Sequence, residues 1–410
     1  MNSQRREKTA FNIYALFVYA GLIVDLYRKF SSTVFKLPLP VTTFRNLVYV
    51  LFFIAIFLMG KNVMHLLRLC LVSIVFAVLT ALSWLINIER GAGSLYIDVM
   101  FMFISRLLPA YYIGTKIVGK EKQFVSSINK FQLLTVLYVI FVLLYPEVSE
   151  TSYLTISGNL LIPVLVALLA ADKGIRHILI RAIGLVAMLI ILIYGGRTSL
   201  VAVALAIGII FLVKLLADRS SKKAAVLIIG ASVALLLIFA FGDIVEYLYK
   251  QNPDSRTLKL MMDGEFFWTS NRNHYYEAAF ASFWNHPFRI YGFLGDRFYY
   301  YDTFRSMGGN DIAVTMFSHN TLLELMLNFG ILIGAAIIVY FIFKMRTAVK
   351  ILNSRRDETA WKVHIIIFAS AFAPLFISSS WLNDYTIWLM AGVILGMGSK
   401  KATQFLAENI

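Results

Sequence analysis

Long apolar runs alternate with short polar separators along most of the chain. A helix that crosses a bilayer needs roughly 20 apolar residues, and the sequence offers a series of runs of about that length. They begin near residues 10, 44, 66, 96, 128, 159, 178, 198, 224, 319, 363 and 385. The pattern therefore predicts an all-α, polytopic integral membrane protein with about 12 transmembrane helices.

Composition and charge agree with this prediction. Apolar residues make up 59% of the 410 residues and charged residues only 15%, which excludes an ordinary soluble domain. The net charge of +15 comes mostly from Lys and Arg in short separators, and every second separator is basic. By the positive-inside rule both termini are expected on the cytoplasmic side. The excess of Lys and Arg is then explained by the topology and by contact with anionic lipid headgroups, so a nucleic-acid partner is not expected.

One segment, residues 246–318, interrupts the pattern because it lacks a continuous apolar run of membrane length. It holds 19 Phe, Trp and Tyr among 73 residues, with 7 basic and 8 acidic side chains. This divides the chain into a membrane region at 1–245, a large aromatic loop at 246–318 on the outer face, and a second membrane region at 319–410. Such a loop is expected to rest on the membrane surface, and aromatic rings that stack on sugars leave a glycan-binding role open.

Within the loop, an apolar stripe at helical spacing predicts an interfacial amphipathic helix. Tyr276, Ala279, Phe280 and Phe283 fall on one helical face, and Pro287 is expected to follow the end of the helix.

Missing motifs exclude several enzyme classes. The sequence has no G-x-x-x-x-G-K-[ST], no H-E-x-x-H and no D-x-D pair. The single cysteine, Cys70, excludes a disulfide framework, a zinc ribbon, a C-x-x-C redox pair and cysteine-ligated clusters. We therefore expect neither a cofactor nor a metal site.

Two arginines at predicted outer helix ends are candidate anion ligands. Arg197 stands in GGRTSL between two apolar runs, where an arginine is costly unless it snorkels or meets an anion. Arg272 opens the predicted interfacial helix, where a guanidinium can hold a phosphate through two parallel hydrogen bonds. The alternative for Arg272 is an ordinary solvated loop charge.

His319 lies where the aromatic loop enters the next apolar run, in SHNTLLELMLNFGILIG. A neutral histidine can act as a general base. The alternative is that this stretch only marks a helix start, with Ser318 or Asn320 as the cap.

Together these three segments resemble the O-antigen polymerase and O-antigen ligase superfamily of bacterial inner-membrane glycosyltransferases. The similarity runs through GGRTSLVAVALA, NRNHYYEAAFASFWNHPFRIYGFLGDRF and SHNTLLELMLNFGILIG, at about residues 195–335. It implies transfer of a glycan from undecaprenyl pyrophosphate on the periplasmic side, without metal or nucleotide. Arg197 and Arg272 would then hold the pyrophosphate, and His319 would face the acceptor hydroxyl.

The resemblance also sets the further expectations. The protein is expected in the inner membrane with its active site facing the periplasm and lipid-linked oligosaccharide as its substrate. A chain-length regulator and a flippase are candidate partners. Weaker candidate site residues are Arg256, Arg289, Asn320 and Glu324.

Three activities stay open at this point. The preferred one is polymerisation of lipid-linked repeat units of O-antigen or capsule, and the second is ligation of the glycan to lipid A core. The third is a lipid-linked oligosaccharide flippase, for which charges such as Arg45 and Arg106 would line a path through the membrane. A structural membrane subunit has no specific support.

Overall fold

The computed structural model describes most of the chain and contains helices, turns and loops in the described parts. These parts are residues 3–33, 39–59, 63–144, 153–170, 175–194, 196–217, 242–253, 255–263, 270–306, 320–354 and 357–398. The predicted span near residue 224 and the candidate His319 lie outside the described residues.

The described parts of the chain are mostly helical. In chain order they are α1 Ser3–Val18, α2 Ala20–Thr33, α3 Val41–Met59, α4 Val63–Ile86, α5 Gly93–Met102, α6 Leu108–Ile117, α7 Glu121–Lys130, α8 Gln132–Leu144, α9 Tyr153–Leu165, α10 Ile175–Tyr194, α11 Arg197–Ala217, α12 at 242–251, α13 Arg256–Met262, α14 Ser270–Asn285, α15 Gly295–Ser306, α16 Thr321–Phe329, α17 Ile331–Ser354, α18 Glu358–Ala373 and α19 Tyr385–Met397. A π-helical turn, Phe103–Leu107, joins α5 to α6.

The helices are those of a multi-pass membrane protein. Six are long and apolar enough to cross a membrane, or up to eight if two bent pairs each form one span, among the residues that the structure describes. One bent pair is Gln4–Val18 with Ala20–Ser31, and the other is Glu121–Lys130 with Gln132–Leu144. Three shorter apolar helices, Thr155–Ala170, Thr198–Val213 and Tyr385–Met397, also match predicted runs. The count of about 12 stays a prediction.

The apolar run at residue 319 does not form one span. It divides into the short helix α16 and the membrane-length helix α17, which begins at Ile331. Between them Gly330 adopts φ +79°, a conformation that ends a helix and favours glycine. Gly334 then lets α17 pack closely on α16, because a Cβ there would lie 2.5 Å from the Cα of Met326.

By its internal contacts the chain forms two compact units. The first comprises residues 1–17, 42–127 and 270–410, and the second comprises 18–41 and 128–269. The predicted boundaries at 245 and 318 follow hydropathy and stay a prediction.

In the first unit α6 and α19 pack most closely through glycines. A Cβ on Gly392 would collide with the carbonyl oxygen of Tyr111, and one on Gly114 would collide with that of Leu389. A Cβ on Gly396 would lie 3.1 Å from the Cα of Thr115. The G-x-x-x-G spacing in α19 therefore serves contact between helices of the same chain.

In the second unit α2 packs against α8 and α9 around buried polar groups. The Tyr138 hydroxyl donates to the carboxylate of Asp25, and the Arg28 guanidinium lies 3.7 Å from that carboxylate. The Lys29 ammonium is buried 5.3 Å from the centre of the Tyr138 ring. Arg28 thus has an anionic neighbour, and the buried Lys29 has an aromatic one that offsets part of the cost of its burial.

A helix is present where the interfacial helix is predicted, as α14, and it ends before Pro287, but its buried stripe differs from the prediction. Ala279 is buried as expected, whereas Phe280 is 60% exposed. The buried positions are Tyr275, Ala278, Ala279 and Ser282, because α14 packs on α15 and α16. Contact of this helix with a membrane surface stays a prediction.

Candidate functional site

Arg197 is the first residue of α11, in the second unit. The preceding Gly196 N–H donates to the Ser157 hydroxyl of α9 at 3.1 Å, which fixes the entry of the chain into the helix. A helix start presents free backbone N–H groups and the positive end of the helix dipole. The fixed start of α11 at Arg197 therefore favours a nearby anion.

Arg256 is the first residue of α13, in the same unit, and α13 packs against α10. The N-cap residue Ser255 donates through its hydroxyl to the carbonyl oxygen of Ile193, and the Tyr194 hydroxyl donates to Asn252 Oδ1 at 3.3 Å. Ile193 and Tyr194 end α10, just before Gly196. The backbone positions of Arg197 and Arg256 are thus tied to one short stretch of chain.

Arg272 lies in the first turn of α14, in the first unit. One hydrophobic cluster joins this helix to α15 and α16 and contains Tyr275, Ala278, Ala279, Tyr291, Tyr300, Leu323 and Leu327. The Tyr299 hydroxyl of α15 also donates to the carbonyl oxygen of Ala278 at 3.0 Å. The helix that carries Arg272 is therefore packed on the helix that His319 precedes in the sequence.

Asn320 caps α16. Its side-chain oxygen accepts from the N–H groups of Leu322 at 3.0 Å and Leu323 at 3.2 Å, which is the usual N-cap geometry. The predicted helix start is confirmed here, and the substrate role of Asn320 stays a prediction.

Glu324 lies in the first turn of α16 and is fully buried. One carboxylate oxygen accepts from the Ser380 hydroxyl at 2.5 Å, and the other accepts from the Trp381 N–H at 3.2 Å. The Thr321 hydroxyl donates to the carbonyl oxygen of Ser379 at 3.4 Å. Two side chains of the first turn of α16 thus hold it against the turn before α19.

A second carboxyl group joins this network from α15. Asp296 is fully buried, and its Oδ1 accepts from the Asn328 amide at 3.0 Å when that amide is oriented to satisfy its neighbours. The same amide donates to the Gly292 carbonyl at 2.8 Å, and its oxygen accepts from the Trp381 indole at 3.2 Å. We call Asp296, Arg297, Glu324, Asn328, Ser380 and Trp381 the buried polar cluster.

The cluster lies outside the candidate membrane spans, and burial controls its protonation. Burial raises the pKa of Glu324 to about 8, and the neighbouring Asp296 carboxylate acts in the same direction. Burial also raises the pKa of Asp296 to about 6, against the opposing effect of the Arg297 guanidinium. At neutral pH the pair therefore holds one proton, mainly on Glu324, while ionised Asp296 balances Arg297.

Arg289 follows α14 and is exposed, with its guanidinium 4.8 Å from the centre of the Tyr291 ring. It is not part of the buried polar cluster.

Sequence reasoning singled out Glu324 but missed Asp296 and the turn before α19. Asp296 stands beside Arg297 in the aromatic stretch GFLGDRF, and both are buried. An acid–base pair flanked by bulky apolar residues is a signal that could have found the Asp296 carboxyl group. Ser380 and Trp381 carried no signal, because their role depends on the loop before α19 returning to α16.

Within the described parts of the chain, no group of three His, Cys, Asp or Glu residues is arranged to hold a metal ion.

Residues 182–339 match the family model described as O-antigen ligase. The chain therefore carries a domain that O-antigen polymerases and ligases share, and the resemblance of the sequence is confirmed. All seven predicted site residues lie within the matched range. The domain implies a glycan-transferring membrane enzyme of polysaccharide biosynthesis. No curated protein matches the chain.

Proposed function

We propose that this chain, which carries an O-antigen ligase domain at residues 182–339, polymerises lipid-linked polysaccharide repeat units on the periplasmic face of the inner membrane. The observation that carries the proposal is that every candidate residue of the site falls inside the matched domain. The growing glycan leaves its undecaprenyl pyrophosphate carrier and joins the non-reducing end of a newly arrived lipid-linked repeat.

The arginines would serve the leaving group. As the bond between the anomeric carbon and the pyrophosphate oxygen breaks, negative charge collects on the pyrophosphate. Arg197 and Arg272 are proposed to hold that charge, each through the paired N–H groups of a guanidinium. The fixed helix start at Arg197 and the packing of α14 from Tyr275 onward support this role, because preorganised donors stabilise developing charge without reorganising.

His319 would serve the acceptor. The acceptor hydroxyl oxygen forms the new bond to the anomeric carbon, the bond to the pyrophosphate oxygen breaks, and the hydroxyl proton passes to the histidine ring nitrogen. General base catalysis of this kind contributes roughly 10²–10⁴-fold in rate. Undecaprenyl pyrophosphate departs as an anion, so its departure needs no general acid.

Glu324 would act as a positioning residue in this mechanism. It anchors the first turn of α16 through Ser380 and Trp381, directly after the Asn320 cap. Because His319 directly precedes that cap in the sequence, a fixed first turn of α16 is proposed to serve the base. Glu324 and Asn320 thus act on the base through the helix and not on the sugar.

A ligase is the second candidate function, because the matching family is described as O-antigen ligase. A ligase would use the same arginines and histidine and differ in its acceptor, which is lipid A core in place of a lipid-linked repeat. The flippase alternative predicts that α14 is dispensable, whereas the enzyme needs it.

The test is the glycan ladder of a deletion strain complemented with the wild type or with His319→Ala. Under the proposal, the deletion strain and the variant both show single repeats attached to lipid A core, and the wild type restores long chains. Unattached long chains on the carrier in the deletion strain would identify a ligase. Repeats retained on the inner leaflet would identify a flippase and overturn the proposal.

A further inference from the structure

A cavity of about 210 Å³ opens on the first unit, apart from the buried polar cluster. One wall is the end of α4 with the turn that follows it, and the other is the segment after α14. Its lining residues are Ile86, Asn87, Glu89, Arg90, Arg289, Ile290 and Tyr291.

Hydrogen bonds fix the two walls against each other. The Asn87 amide donates to the carbonyl oxygen of Tyr291 at 3.0 Å, and the Phe293 N–H donates to the Ser83 hydroxyl at 2.9 Å. The Arg90 guanidinium binds both carboxylate oxygens of Asp302, one of them at 2.8 Å. The cavity is therefore formed before any ligand enters it, as small-molecule sites usually are.

The lining places unlike charges on opposite walls. Glu89 and Arg289 are both exposed, and no ion pair joins them among the described residues. A carboxylate accepts hydrogen bonds and a guanidinium donates them, while Ile86 and Ile290 add apolar surface. A sugar ring has the matching pattern of hydroxyls around an apolar face. A phosphate fits less well, because Glu89 would repel it and the charge of Arg90 is already balanced by Asp302.

Backbone hydrogen bonds join one wall of the cavity to the end of α16. The Tyr291 N–H donates to the carbonyl oxygen of Leu327 at 3.2 Å, and the Gly292 N–H donates to that of Asn328 at 3.0 Å. These contacts place the cavity wall at the end of α16 opposite to Asn320. The helix rises by about 12 Å between Asn320 and Asn328. A single sugar ring does not bridge this distance, but a short oligosaccharide does.

We infer that this cavity binds one sugar ring of the glycan repeat, at a distance from the reacting end, through Glu89 and Arg289. The inference rests on the proposed function. It gives the enzyme a subsite that recognises a sugar of the repeat unit and does not bind the lipid pyrophosphate. Remote contacts of this kind add binding energy for the whole repeat.

The test uses the purified full-length protein and the water-soluble repeat-unit oligosaccharide, which has no lipid or pyrophosphate. Glu89→Gln and Arg289→Ala change exposed side chains and are expected to fold normally. Glu358→Gln and Arg346→Ala are the matched controls, since both residues are exposed on other helices. Oligosaccharide affinity is measured by saturation-transfer NMR titration, with inorganic phosphate as a competitor, and KM and kcat are measured with lipid-linked repeats.

We expect each cavity variant to bind the oligosaccharide about tenfold more weakly, the usual effect of losing one charge-assisted hydrogen bond. KM should rise by a similar factor with little change in kcat, and the controls should match the wild type. Unchanged affinity in both cavity variants would overturn the inference, as would displacement of the oligosaccharide by phosphate. A wild-type protein that binds the oligosaccharide but does not elongate lipid-linked repeats would refute the proposed polymerase and leave the subsite standing.

Discussion

Removal of the Glu324 carboxyl group is the sharpest test of the buried polar cluster. Glu324→Ala leaves the Ser380 hydroxyl and the Trp381 N–H buried without their acceptor. An unsatisfied buried donor costs about 1–3 kcal/mol, so the two together cost roughly 2–6 kcal/mol of stability. Glu324→Gln keeps the volume and one acceptor oxygen. Because Glu324 is mainly protonated at neutral pH, a neutral glutamine resembles it, and the variant should lose only about 1 kcal/mol of stability.

The same residue makes stability depend on pH. The pKa of Glu324 rises from 4.5 in the unfolded chain to about 8 in the folded protein, so the folded state binds the proton more tightly. The contribution of Glu324 to the free energy of unfolding is complete below pH 4.5. It is lost as pH rises through about 8, by at most about 1.4 kcal/mol per pH unit. The raised pKa of Asp296 acts in the same direction up to about pH 6. Glu324→Gln removes its part and should flatten the profile between pH 6 and 8.

Thermal unfolding of the protein in detergent, followed by tryptophan fluorescence between pH 5.5 and 8, measures both effects. Glu358→Gln is the matched control, because Glu358 also lies in the first turn of a helix but is 65% exposed and pairs with Lys362. Its effect should stay within about 0.5 kcal/mol. Two results would refute the reasoning: a wild-type Tm for Glu324→Ala, or an unchanged pH profile for Glu324→Gln.

Three further predictions concern the site and the packing. His319→Ala should abolish chain growth at normal protein levels on the glycan ladder, and near-normal polymer would remove His319 from the mechanism. Arg272→Lys should also fail on the same ladder, because an ammonium lacks the paired donors of a guanidinium, and full activity would reduce Arg272 to a general charge. Gly392→Val should lower the Tm by several degrees, because the Cβ collides with the Tyr111 carbonyl, whereas Gly208→Val, with open space around its Cβ position, should change it little.

Hydropathy predicted most of the helices because the signal is local, as the helices at Val41–Met59 and Ile331–Ser354 illustrate. Hydropathy missed the break between α16 and α17, because Leu and Met continue through α16. The positive φ of Gly330 separates the two helices. Hydropathy also left the role of Glu324 open. The partners of that carboxyl group lie some 28 residues before and 56 residues after it, and no spacing rule connects positions so far apart.

The flippase alternative depends on charge within the membrane, and Arg106 is its best candidate. Arg106 lies in the π-helical turn between α5 and α6, and its guanidinium is 5.4 Å from the centre of the Tyr49 ring and 5.2 Å from that of Tyr385. Two aromatic faces stabilise a desolvated cation by about 2 kcal/mol or more each. The position of Arg106 thus has a local explanation that requires no transport path. If the tyrosines hold Arg106 for packing alone, Arg106→Gln should lower the Tm while the exported repeats persist. Loss of exported repeats at normal protein level would instead assign Arg106 to transport.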